Sequence, residues 1–166
     1  MSFNNTIKQI HDSEIFKNFI KNNASAELCV GFFIIDLKNS LNQTTLDYKL
    51  GKRVFTFSIA EDGEISLKED ELVENPKFPK LSVIKPKVKI DLKEAMSIAR
   101  GKAFDEGIEK KFEKIIAIVQ NHDGKQVWNL TCILETFIIL NLIIDSEDAK
   151  IIKFDRKSMG DFIRRA

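Results

Sequence analysis

Ile115-Ile116-Ala117-Ile118-Val119-Gln120-Asn121-His122-Asp123-Gly124-Lys125-Gln126-Val127-Trp128-Asn129-Leu130 is the stretch whose reading decides the fold. The run from Ile115 to Val119 is continuous Ile, Ala and Val, which at so short a length predicts a strand. Asp123-Gly124 is the dipeptide that most readily takes the positive φ angles of a tight hairpin turn. In the return run Trp128, Leu130, Cys132 and Leu134 alternate with Asn129, Thr131 and Ile133, the period of two that gives one face an apolar lining.

Outward from this hairpin the pattern continues in both directions. Phe137 to Ile144 follows Glu135-Thr136 as a third strand, and Asp145-Ser146-Glu147-Asp148-Ala149 is a polar turn into a fourth from Ile151 to Phe154. Upstream, Asp91 sits where a helix N-cap belongs and Glu94 completes a variant of the capping box. Leu92, Ala95, Met96, Ala99, Ala103 and Phe104 then recur at helical spacing as one apolar stripe, with Gly107 just past the end.

The first half repeats this order more loosely. Asp12-Ser13-Glu14 opens a helix whose Ile15, Phe16, Phe19 and Ile20 face inward, with Thr6 and Gln9 as an earlier alternative start. Strands follow at Leu28 to Leu37, Leu46 to Leu50 and Arg53 to Ile59, and Glu61-Asp62-Gly63-Glu64 turns into Ile65-Ser66-Leu67. Tyr48 and Leu50 occupy the places of Trp128 and Leu130. Pro76, Pro79 and Pro86 mark 75 to 89 as an extended connector or sheet-edge strand. The expected organisation is an α+β protein of two helix-plus-antiparallel-sheet units, residues 1–75 and 91–166, joined by a Pro/Lys-rich connector at 76–90, with internal duplication as one origin of the repeated order.

Residues 90–155 resemble the PepSY domain family, and more narrowly the PepSY-like proteins of archaea. The resemblance rests on Ile90-Asp91-Leu92-Lys93-Glu94-Ala95, on the hairpin from Gln120 to Asn129, and on the last turn from Ile144-Asp145 to Lys150-Ile151. It implies a cystatin-like, noncatalytic module that modulates peptidases or binds peptides. Ala149 stands where the family usually has Gly, which implies a different turn type or strain there.

Composition narrows function further. The chain has 166 residues, 43% of them hydrophobic, and its 13 Phe against one Tyr and one Trp point to a packed core. With 26 basic and 25 acidic residues the net charge is +1, so no global field steers it to nucleic acid or an anionic membrane. Charge is nevertheless segregated: residues 61–74 are acidic, whereas 77–93 carry Lys77, Lys80, Lys85, Lys87, Lys89 and Lys93 against Asp91. The first residues lack the apolar core of a secretory signal, which predicts a cytoplasmic protein. Cys29 and Cys132 lie inside apolar runs and read as buried thiols.

No reactive constellation emerges. His11 and His122 are the only histidines, and neither has Cys-x-x-Cys or His-x-x-x-His company for a metal. His11-Asp12-Ser13 holds the residue types of a hydrolase triad, but neighbours at a helix start point in different directions, and capping explains them. Trp128 with Tyr48 is open to two readings, an aromatic binding platform or packing beneath the covering helix. The expectation is therefore a non-enzymatic module without catalytic residues, metal or cofactor. It engages a protein or peptide partner through a sheet edge or face, with Tyr48, Trp128, Lys85, Lys87 and Lys89 as candidate contacts. The alternatives are a structural homodimer subunit and a hydrolase-type enzyme. Ser158 to Arg165 is read as a short helical turn or a mobile tail.

Overall fold

A computed structural model describes residues 1–71 and 81–158. The elements run α1 (Phe3–His11), α2 (Glu14–Asn22), β1 (Glu27–Asp36), β2 (Gln43–Leu50), β3 (Arg53–Ile59), β4 (Ile65–Glu71), α3 (Leu92–Asp105), β5 (Phe112–His122), β6 (Lys125–Leu134), β7 (Ile138–Asp145) and β8 (Ile151–Lys157). All eight strands form one antiparallel sheet in the order β4-β3-β2-β1-β5-β6-β7-β8. The expectation of two helix-plus-sheet units is thereby overturned: the described residues form one eight-stranded sheet with three α-helices. Pro76, Pro79 and the C-terminal segment lie outside the described residues, and residues 81–90 are extended without joining the sheet.

The joint between β1 and β5 explains the correction. Gly31 pairs with Val119, Phe33 with Ala117 and Ile35 with Ile115. Both strands are apolar along most of their length, and as separate edges they would expose unpaired backbone beside sticky side chains. Pairing removes both edges at once. A Cβ at Gly31 would lie 2.6 Å from Val119 Cγ1 and 3.0 Å from the Phe3 ring, so glycine is what lets Phe3 settle over the seam. Phe3 meets Phe33 on β1 and Trp128 on β6 at ring-centre distances of 6.5 and 6.2 Å, and all three are fully buried. Burying a Phe of this kind stabilises by roughly 2 to 3 kcal/mol.

All three helices pack on one face. Phe16 and Phe19 of α2 pack at tilted or edge-on angles against Tyr48, Phe55 and Phe57. The first helix of the expected pair is in fact two, because Ser13 caps α2 by accepting from the Phe16 amide while the chain turns at Asp12. On α3, Ala95, Ala99 and Ala103 repeat every four residues and are buried, bringing the backbone close to the sheet. Phe104, expected in the same stripe, is 83% exposed. The hairpin turn at Asp123-Gly124 takes positive φ at both residues (50° and 82°) between paired His122 and Lys125.

Candidate functional site

Directly paired residues of an antiparallel sheet share a face. The row Thr45-Phe32-Ile118-Asn129-Ile143-Lys153 runs across six strands, and beside it Gln43-Ile34-Ile116-Thr131-Asn141-Asp155. A third row joins Lys114, Ile133, Ile139 and Lys157. These rows lie opposite the helix face, and among the described residues no helix covers them. Val30, Phe32, Ile34, Ile116, Ile118, Ile133, Ile139 and Ile143 are each half-buried there, held by their neighbours along the strands and open above.

A one-sided antiparallel sheet should alternate apolar inward with polar outward. β2 and β3 obey, with Thr45, Asp47, Thr56 and Ser58 on the outer face. β1, β5 and β7 do not, and the outcome is aliphatic surface on those strands, crossed at β6 by Asn129 and Thr131 and at β7 by Asn141, with a polar margin. At that margin burial raises the Asp47 carboxyl above its ordinary value, against the opposing hydrogen bond from Thr56 Oγ1 at 2.7 Å. Thr131 Oγ1 donates to Asn141 Oδ1 at 3.1 Å, so two polar groups inside the patch satisfy one another.

The residues singled out from sequence fall elsewhere. Trp128 is fully buried on the helix face and its indole Nε1–H donates to the Ile90 carbonyl at 2.8 Å. Tyr48 is buried among Phe16, Phe19 and Phe57, its hydroxyl bonded to His11 Nε2 at 2.5 Å, and burial raises its phenol. The two rings do not form an exposed platform. Lys85, Lys87 and Lys89 are exposed on the extended strap from Leu81 to Ile90, whose Ile84 and Val88 are buried. Gln126 holds the strap by exchanging hydrogen bonds with the Lys85 backbone, and Asn4 does the same with that of Val88. Lys85 also borders a cleft of about 320 Å³ with Asn121, Lys125, Gln126, Asp145 and Glu147.

His11 stacks on Phe16 at 4.3 Å and faces Tyr48, while His122 sits at the β5–β6 turn beside Asp123. No group of three or more metal-ligating side chains occurs among the described residues. Cys29 and Cys132 are free and buried, and burial pushes each thiol up to about 12. Among the described residues no helix is long and apolar enough to cross a membrane.

The patch residues were legible only indirectly. Val30 to Ile35, Ile115 to Val119 and Ile138 to Ile144 are apolar at both parities, a signal for strands covered on two faces. Which parity meets helices is settled by where Phe3, Phe16 and α3 land.

No family model and no curated protein matches the chain in sequence. In structure it is similar to the crystal structure of a putative lipoprotein from Clostridium difficile 630, with a TM-score of 0.61 over 87% of this chain and 91% of that one at 9% sequence identity. The likeness is one of fold.

Proposed function

We propose that this chain is a noncatalytic binding or regulatory module that engages a protein or peptide through the open face of its sheet. One observation carries the reading: strands apolar on both faces lie in a sheet whose helices cover only one. Left in water, contiguous apolar surface of this kind marks an interaction site. The polar margin around the aliphatic centre matches the anatomy of protein interfaces. The PepSY resemblance adds the modulation of a peptidase as the role for such a module. The exposed lysines at 85, 87 and 89 form a second, electrostatic contact strip on the strap that packs with the helices.

The test is affinity capture from native cells with quantitative mass spectrometry, using wild type, Thr131→Lys and the triple Lys85→Glu, Lys87→Glu, Lys89→Glu. Thr131→Lys is expected to abolish capture. The triple variant should weaken it, more so at low salt where exposed charges are least screened. Replacing both histidines by Gln should leave capture unchanged, and an activity lost with either histidine would overturn the reading.

A further inference from the structure

The sheet ends in two edges of opposite charge. Among the described residues β4 pairs only with β3 and β8 only with β7. β4 carries Glu69, Asp70 and Glu71 against Lys68, whereas β8 carries Lys153, Arg156 and Lys157 against Asp155. We propose that β8 of one copy of the chain pairs antiparallel with β4 of the next, setting Lys153 opposite Asp70 and Asp155 opposite Lys68, so that copies add head to tail into a continuous sheet. This contact is separate from the open face and does not depend on what occupies it.

Topology, backbone and charge each support this. Eight antiparallel strands alternate in direction, so β4 of a following copy lies antiparallel to β8 with the helices on one side of the joint. The Ala60 N–H donates to the Glu64 carbonyl, and counting from that pair along the β3–β4 register leaves the N–H and C=O of Leu67 and Glu69 pointing outward. The Ser146 N–H donates to the Gln126 carbonyl, which by the same alternation turns Asn141 and Ile143 toward Asp155 and Lys153 and leaves Phe154 and Arg156 outward. Pairing Phe154 with Glu69 and Arg156 with Leu67 joins these outward groups, clear of the register shift between Ile143 and Ile144. It is also the register in which the charges agree. On the open face Lys68 lies 3.9 Å from Asp70 and Lys153 lies 3.5 Å from Asp155, all four exposed. Antiparallel docking brings the two pairs together with opposite signs facing. A slip of two residues one way sets Lys153 against Lys68, and the other way Asp155 against Asp70, and like charges directly opposite are destabilising. Joining β4 to β4 would gather six acids against two lysines, and β8 to β8 is as unbalanced in the other sign, so each edge rejects itself. The contact is heterologous, every copy added leaves one β4 and one β8 free, and the sheet's twist turns each copy against the last, so growth is open-ended.

The experiment is sedimentation velocity on the full chain at low salt, from micromolar to near-millimolar concentration because a joint this short and exposed is weak. Wild type should grow past two copies without a fixed end, and added salt should reverse the growth. Glu69→Pro and Arg156→Pro each remove one outward N–H and no bond of the existing sheet, with urea midpoints showing that both fold. Each alone should stay a single copy, and an equal mixture should reach two copies and stop, because one variant keeps a working β8 and the other a working β4. Lys153→Asp should weaken growth about tenfold, and adding Asp70→Lys in the same chain should restore it. The register has its own readout: in a thiol redox buffer Lys68→Cys protein should form a disulfide with Asp155→Cys protein, since residues so paired stand about 4.5 Å apart at Cα. Ser66→Cys protein should not. A wild type that remains single at every concentration overturns the proposal, as does one that stops at two. Growth beyond two copies in either proline variant alone overturns it too, and cross-linking of position 155 to 66 in preference to 68 overturns the register.

Discussion

Ser2 Oγ donates to Oδ2 of Asp91 at 2.7 Å across 89 positions of sequence. The same carboxylate accepts from the backbone amides of Phe3 at 2.7 Å, Asn4 at 3.1 Å and Leu92 at 2.6 Å. One aspartate thus serves the N-termini of both α1 and α3, satisfying amides that each helix leaves unpaired and lying at the positive end of both dipoles. It ties the first helix of the chain to the third.

Asp91→Ala should therefore remove two caps, each contributing about 1 kcal/mol, and destabilise by roughly 2 to 4 kcal/mol once the stranded Ser2 hydroxyl is included. Urea unfolding measures it. Ser2→Ala alone should cost about 1 kcal/mol, and the double variant less than the sum, because both changes break one network.

The glycines at 31 and 101 should respond in opposite senses to alanine. At Gly31 the new methyl meets Val119 and Phe3 well inside contact distance, and overpacking of this sort costs about 1 to 3 kcal/mol. At Gly101, inside α3, nothing lies within 4 Å, so alanine should stabilise by about 0.5 to 1 kcal/mol through helix propensity. Thermal unfolding of the two variants compares them.

Ala149 adopts φ 66° in the turn between β7 and β8, the left-handed region that disfavours a side chain. Ala149→Gly should raise stability by about 1 kcal/mol, seen as a higher urea midpoint with the slope unchanged.

Burial lowers the His11 imidazole from its ordinary value of 6.5, with the Asp12 carboxylate pulling the other way. The folded state then binds its proton less readily than the unfolded chain, so stability is complete above about pH 6.5 and declines as pH falls from there through the folded value. His11→Gln should flatten that limb between pH 7 and 5 in a urea-midpoint series. A stability that rises on acidification across this window would contradict the buried geometry against Phe16 and Tyr48.

Local chemistry made much of this legible in advance. The Asp123-Gly124 hairpin, the capping of α2 by Ser13, the span of β3 and the irregular turn at Ala149 each depend on a few adjacent residues, and those residues state their conformation wherever the segment lies. The alternation of Trp128, Leu130 and Cys132 likewise announced one buried face, because a strand's period is independent of its partner. Phe104 misled for the complementary reason: its spacing fits the α3 stripe, but the helix meets the sheet along a narrow row of alanines, and a ring one position beyond that row points into water.

Sequence alone thus determined most of the strands, the hairpin turns and the helix starts at Ser13 and Asp91, since these obey short-range sterics and hydrogen bonding, but not the separate first helix from Phe3 to His11. The tertiary structure alone decided that the two sets of strands join as one sheet, because β1 and β5 pair across roughly eighty residues and nothing local records that Gly31 will lie beneath Phe3 and beside Val119. It alone decided which parity of the doubly apolar strands is left open. Tyr48 and Trp128 lie under helices while Phe32, Ile118 and Ile143 do not, and that division follows from where distant apolar surfaces exclude the most water together.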